Sequence, residues 1–403
     1  MPHHPFEDRE AWRLFIGGEF VSGGGPPLDV VNPATGKVLG EAPTATEDDV
    51  SAAVDAAREA FRSWRWTAPE RRGATLYRIA DTIREHRDEL TDLETWENGK
   101  PRAQSETDVV NAERTFRFYA AAADKFYGQA LVDSPDEVRK IVFEPYGVVA
   151  VVIPWNWPPM HAADFGALAL ATGNTVVMKP APETPLSALR IAELSSGIVP
   201  PGVFNVVTGG VDPGAALVRH PGVDFITFTG SSRTGSKILA VAAERITPTM
   251  MELGGKNAAL VFADANLDKA VEGLIASAFR NNGQACSGTE RILVQRPIFE
   301  AFLEHYAVAT EKLVVGDGFA PDTDVGPIIT GRQEAVINGF INQAIEDGAA
   351  IAARAAVPSD PVLSGGHWVP PTVMTGVSPD VEIMQEEVFG PVVCVVPFDD
   401  EHE

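Results

Sequence analysis

Apolar and polar positions follow two different periods along the chain, and the change from one to the other divides it. Val50, Ala53, Val54, Ala57, Ala60 and Phe61 fall at helical spacing, and Thr46 with Asp49 three residues on is close to a capping box. The same spacing at Leu76, Ile79, Ala80, Ile83 and Leu90 predicts one helix over about residues 70–92, and a third helix covers about 103–125. Ahead of these, the first forty-odd residues are rich in Gly and Pro (FIGGEFVSGGGPP, VNPATGKVLG) and read as short strands and turns. From about residue 140 continuous apolar runs take over. RKIVFEPYGVVAVVIPW reads as two strands around a Pro-Tyr-Gly turn. The strand-like runs NTVVMKP, FNVVTG and VDFITFTG then alternate with helical PLSALRIAELSSG and GAALVRH, and a further helix opens near Thr234. Such alternation predicts an α/β fold with a parallel sheet covered on both faces. Strand-type runs resume at MMELGGKNAALVF, a long helix (LDKAVEGLIASAFRN) leads into NNGQACSGTERILV, and VVCVVPF is the last strand. There is no repeat at solenoid periods.

Composition narrows the class. A chain of 403 residues makes two or three domains. The net charge of −24, from 32 basic and 56 acidic residues, argues against nucleic acid and anionic membranes as partners. Two cysteines are too few for a disulfide framework and point to a reducing, cytoplasmic compartment. The N-terminal MPHHPFEDREAW lacks a signal pattern, and no apolar run reaches the length of a membrane span.

Several strand ends carry candidate chemistry. In VDFITFTGSSRTGSKI a strand ends at Thr229–Gly230 and a helix opens near Thr234–Gly235. Free N–H groups at a helix start suit a phosphate, and Ser231 adds a hydroxyl. G-x-G-x-x-G is absent from the chain, and the same residues also make an ordinary tight turn. Lys179 leaves a strand's carboxyl end, where open parallel sheets bind ligands; it reads as a holder of ribose or phosphate, or as a solvated strand terminus. Glu252 follows an apolar run and precedes two glycines. A carboxylate held against apolar neighbours is tuned by desolvation to act as a base near neutral pH, and the alternative is a strand-end glutamate satisfied by backbone. Asn156, between two tryptophans in PWNWPPM, is either a rigid oxyanion donor or a structural loop residue. Cys286 sits among carboxamides, glycines and hydroxyls, with no acid following it until Glu290, so a nest of N–H groups would favour the thiolate. That setting reads as a nucleophile rather than a core filler, whereas Cys394, inside an apolar run, reads as a small core hydrophobe.

Taken together these segments resemble the aldehyde dehydrogenase superfamily, from LFIGGEFV to EEVFGPVV, with FRNNGQACSGTERILV and ELGGKN the most diagnostic stretches. The resemblance implies a Rossmann-like parallel-sheet cofactor domain and a second α/β catalytic domain. It divides the chain into 1–122 and 146–253 (NAD(P)-binding), 123–145 (a bridging, oligomerising hairpin) and 254–403 (catalytic). It implies oxidation of a small-molecule aldehyde to an acid, with NAD or NADP as cofactor and NAD favoured. Cys286 would attack the aldehyde. Asn156 and the Cys286 N–H would hold the oxyanion, and Glu252 would activate the water that hydrolyses the thioester. Lys179, Gly230, Ser231, Gly235, Leu253, Pro154, Trp155, Glu387 and Phe389 would line the cofactor site, with Lys179 at the adenosine ribose, Ser231 at the pyrophosphate, Glu387 at the nicotinamide ribose and Phe389 at its ring. No metal is implied, and a homodimer or tetramer is expected.

Three departures qualify the match. Asp164 and Phe165 stand where the family often has Trp-Lys, near the substrate and the proton relay. Pro182 stands where many NAD-preferring members carry a ribose-binding glutamate, with Glu183 beside it. The chain stops at FDDEHE, shortly after E-x-F-G-P, so a C-terminally truncated member with an uncovered sheet edge is expected. A catalytically silent dinucleotide-binding or interaction protein is therefore the competing reading. Glu252 argues against acyl transfer to coenzyme A, and a cysteine hydrolase would need a histidine motif that the eight histidines do not form.

Overall fold

A computed structural model describes residues 4–7 and 11–403; residues 1–3 and 8–10, inside the N-terminal stretch discussed above, lie outside the described residues. Two sheets organise the molecule. The larger has seven strands, ordered Thr249–Leu253, Phe225–Gly230, Val148–Val152, Thr175–Lys179, Phe204–Val206, Leu14–Ile16, Glu19–Val21. Its first five strands are mutually parallel, and the two N-terminal strands add antiparallel at one edge. The apolar runs have no polar alternation because both faces are covered: Val149 and Val151 enter one core and Val148 and Ala150 the other. The smaller sheet has five strands, ordered Ala258–Val261, Arg291–Gln295, Val392–Phe398, Thr372–Thr375, Ala350–Arg354. Cys394 is buried in it, where burial pushes its thiol up to about 12. Gln129–Ser134 and Glu137–Ile141 form a separate two-stranded hairpin with Val132 and Val138 exposed.

The local grammar was largely legible. Helix Glu47–Trp64 opens on Thr46 with both capping-box bonds made, and Val50, Ala53, Val54, Ala57 and Phe61 are buried. The helix expected over 70–92 is instead two, Pro69–Glu85 and Arg87–Asn98. The chain breaks at His86, whose ring bonds Glu89 at 2.9 Å, while Glu89 is drawn to Arg190 at 2.6 Å on a neighbouring helix. That tertiary ion pair lies beyond the reach of periodicity. The helix expected through Asn281 stops at Phe279, and Asn281, Asn282 and Gly283 take left-handed φ values of 50, 54 and 68°.

Candidate active site

The carboxyl ends of the larger sheet face the amino ends of the smaller one. Strands ending at Val152, Lys179, Gly230 and Leu253 deliver Pro154–Asn156, Lys179, Gly230–Ser231 and Glu252–Leu253. Register aligns Thr229 with Glu252, Gly230 with Leu253, and Val152 with Lys179. From the smaller sheet, Cys286 precedes strand Arg291–Gln295, and Glu387–Phe389 precede Val392–Phe398. The result is a cleft of about 280 Å³ lined by Pro154, Trp155, Asn156, Gly230, Ser231, Glu252, Leu253, Cys286, Glu387 and Phe389, among others. Lys179 and Gly235 are not on that wall. Gly235 packs beneath it, where a Cβ would lie 2.7 Å from Leu253. A larger apolar cleft of about 450 Å³ beside the hairpin, lined by Phe126, Phe143, Tyr146 and Phe165, contains no cysteine.

The turn bearing Cys286 is built from carboxamides. Gln284 is fully buried; its Nε2 donates to the Asn281 carbonyl at 3.0 Å and its Oε1 accepts the Ile329 N–H at 2.9 Å. Asn156 Nδ2 donates to the Gln284 carbonyl at 3.2 Å, which brings the amide against the nucleophile's turn. Asn257, the last residue of GGKN, donates to the Cys286 carbonyl at 2.6 Å and the Gly288 carbonyl at 3.1 Å. Gly283 is obligatory: a Cβ there would meet the Gly390 carbonyl oxygen at 2.1 Å, and its φ of 68° suits glycine.

Electrostatics correct two expectations. The Cys286 thiol is held above its ordinary range, first by burial and then by the charges of Glu387 and Glu252, while N–H groups of residues 286 and 287 pull the other way. Those acids are remote in sequence, so the local reading missed them. The apolar enclosure expected for Glu252 is also absent: it is exposed at the strand end, and its position rather than desolvation brings it to the cleft. Glu387 is half-buried and raised by burial; its Oε1 accepts the Gly255 N–H at 3.3 Å, and a Cβ on Gly254 would touch its Oε2.

Lys179 is no solvated terminus. Only 5% exposed, its amine is pushed down by burial to about 8, with Glu183 opposing, and donates to the Pro180 carbonyl at 2.7 Å. Ser231 caps helix Ser232–Arg245, and Thr229 Oγ1 is buried without a partner beside it. Polar groups at one strand-end row, an under-used ammonium, an orphaned hydroxyl and a carboxylate fit the diphosphate and ribose hydroxyls of a dinucleotide. Phe389, at a φ of 53°, stands edge-on to Trp155 with ring centres 5.4 Å apart.

Sequence reading passed over Glu290, Lys256 and Gln333. Glu290 accepts the N–H groups of Val388 and Phe389 at 3.1 and 3.2 Å and pairs with Lys256. Gln333 Nε2 donates to the Val388 and Phe389 carbonyls at 3.3 and 3.2 Å. For Glu290 and Lys256 the signal was a charged residue just ahead of an apolar strand; Gln333, inside helix Gly331–Glu346, gave none. Asp164 and Phe165 both lie off the cleft: Asp164 accepts from Thr115 at 3.3 Å, and Phe165 lines the apolar cleft.

Residues 20–403 match the model of the aldehyde dehydrogenase family. The 2-hydroxymuconic semialdehyde dehydrogenase of Pseudomonas sp. (strain CF600) is 40% identical over 400 residues, 96% of this chain and 82% of the relative. The betaine aldehyde dehydrogenase of Bacillus subtilis (strain 168) is 36% identical over 97% of this chain and 81% of its own length. Among solved structures, the NAD+ complex of an aldehyde dehydrogenase from Bacillus cereus superposes with a TM-score of 0.94 at 39% identity, covering 98% of this chain and 80% of that one.

Proposed function

The chain belongs to the aldehyde dehydrogenase family, and from that premise we propose which of its residues carry each part of the reaction. The protein oxidises an aldehyde to a carboxylic acid with reduction of NAD(P); a silent dinucleotide-binding role is not favoured. Cys286 is the nucleophile: its thiol gives up a proton to solvent, the sulfur bonds the aldehyde carbon as the C=O π pair moves onto oxygen, and a thiohemiacetal oxyanion forms. Asn156 Nδ2 and the Cys286 N–H donate to the developing oxyanion, a rigid pair that need not reorganise as charge appears. A dinucleotide bound along these strand ends would supply the hydride acceptor that turns this carbon into a thioester. Glu252 then takes a proton from water, the hydroxide adds to the thioester carbon, and the C–S bond breaks to free the carboxylic acid and the Cys286 thiolate. Its exposure gives that proton a path to solvent. Lys179, Ser231, Gly230, Leu253, Pro154, Trp155, Glu387 and Phe389 hold the cofactor, and Gly235 supports Leu253 from beneath.

The observation that supports this reading is the convergence of Cys286, Asn156, Glu252 and Glu387, from four distant segments, on one cleft. The two sheets support the division into 1–122 with 146–253 for the cofactor and 254–403 for catalysis. The exposed apolar hairpin within 123–145 supports a role in a homodimer or tetramer. No helix among the described residues is long and apolar enough to cross a membrane, and two free cysteines suit the reducing cytoplasm. The test is mass spectrometry of Glu252→Gln incubated with aldehyde and NAD(P), beside Cys286→Ala. The expected results are an acyl adduct on Cys286 in the first and no turnover in the second. A Cys286→Ala enzyme of undiminished rate refutes the nucleophile, and a Glu252→Gln enzyme that turns over normally without adduct refutes the base.

A further inference from the structure

Lys100 takes no part in the steps above, yet it is a fully buried cation beside the site. Its ammonium donates three hydrogen bonds of 2.7 Å each, to Glu94 Oε1, Asp108 Oδ2 and the backbone carbonyl of Asn156. The three side chains are 0% exposed, and three acceptors match the ammonium's three donors. The same Asn156 carbonyl accepts Asn281 Nδ2 at 3.0 Å, and that amide also reaches the Gln284 carbonyl at 3.3 Å, where Asn156 Nδ2 already bonds. A second branch leaves Asp108 Oδ1 for Arg280 Nη2 at 3.0 Å, at the head of the Cys286 turn. Gln104, on the Asp108 helix, accepts the Asn281 N–H at 2.9 Å. Asn281 and Asn282 are non-glycine residues held at positive φ, which persists only where the surroundings over-determine it.

We propose that Lys100 is a positioning residue that locks the Asn156 amide and the Cys286 turn into one register, so that both oxyanion donors face the same point. The cation is needed because Glu94 and Asp108 would otherwise face each other in a buried site. Burial already drives the Glu94 carboxyl well up, with Lys100 opposing and Asp108 adding to the rise. The proposal rests on the oxyanion role of Asn156, and the experiment separates the two. Single-turnover reduction of NAD(P) by aldehyde is measured for Lys100→Met, Asp108→Asn, Asn156→Ala and the Lys100→Met/Asn156→Ala double, with dinucleotide affinity and Cys286 alkylation by iodoacetamide in parallel. Asn156→Ala is expected to slow acylation by about 100-fold or more. Lys100→Met is expected to slow it by roughly tenfold or more, with alkylation and dinucleotide affinity within about twofold of wild type, and the double to be no slower than Asn156→Ala. Asp108→Asn keeps the shape of the site and carries the same direction if Lys100→Met does not fold. Acylation within about threefold of wild type in both Lys100→Met and Asp108→Asn, losses that multiply in the double, or alkylation that falls in step would each overturn the proposal. An unaffected Asn156→Ala would instead remove the oxyanion reading beneath it.

Discussion

Replacing Glu290 by glutamine isolates how the turn that carries Glu387 and Phe389 is held. The wild-type carboxylate accepts two backbone N–H groups, at 3.1 and 3.2 Å, and pairs with Lys256, the two side chains being 6% and 9% exposed. A hydrogen bond to a charged acceptor contributes about 1.5–3 kcal/mol and a neutral one about 0.5–1.5. Weakening both bonds therefore costs about 2 kcal/mol. Leaving Lys256 buried without its anion raises the total toward the about 3–5 kcal/mol typical of one-sided removal from a buried pair. Phe389, at a φ of 53°, adds strain that the clamp must hold against. The assay is hydrogen exchange by mass spectrometry on the peptide spanning 386–391. A loss of about 3 kcal/mol corresponds to roughly 100-fold faster exchange at Val388 and Phe389. Strand Thr175–Lys179, in the other sheet, is expected to keep its protection. Glu290→Gln/Lys256→Met is expected to cost less than the sum of the single changes, because the stranded charge is gone. An acceleration below about threefold, or one spread equally over the whole chain, would refute the clamp.

Further outcomes concern titration and thiol reactivity. The buried Lys179 amine, pushed down to about 8, donates as an ammonium only below that pH. Dinucleotide affinity is therefore expected to be fullest below about pH 8 and to weaken as pH rises through it, measured by calorimetry; a Lys179→Met protein with the same pH slope refutes the contact. After burial, Glu387 is the largest influence holding the Cys286 thiol up. Glu387→Gln should accordingly be alkylated by iodoacetamide faster than wild type at neutral pH, and an equal or slower rate counts against that electrostatic link.

Much of this protein was readable as a string because local physics acts over few residues. Thr46 and Asp49 cap a helix with bonds three residues apart, and the unbroken run VVAVV declares a strand buried on both faces. The Gly283, Asn156 and Cys286 motifs stood out because close backbone approach and rigid donors demand particular residue types. Other features depended on groups brought together only by folding. The helix break at His86 sits beside Glu89, which pairs with Arg190, 101 residues away in sequence. Glu387 raises a thiol that looked free of acids, Glu252 emerges exposed, and Lys179 is buried rather than solvated. Lys100 carries no signal in the sequence, yet it lies at 0% exposure between two carboxylates. Charge and desolvation are sums over everything nearby in space, and chain order does not list those neighbours. Periodicity and motif determined the elements and singled out the candidate reacting groups, while the tertiary structure decided their environment.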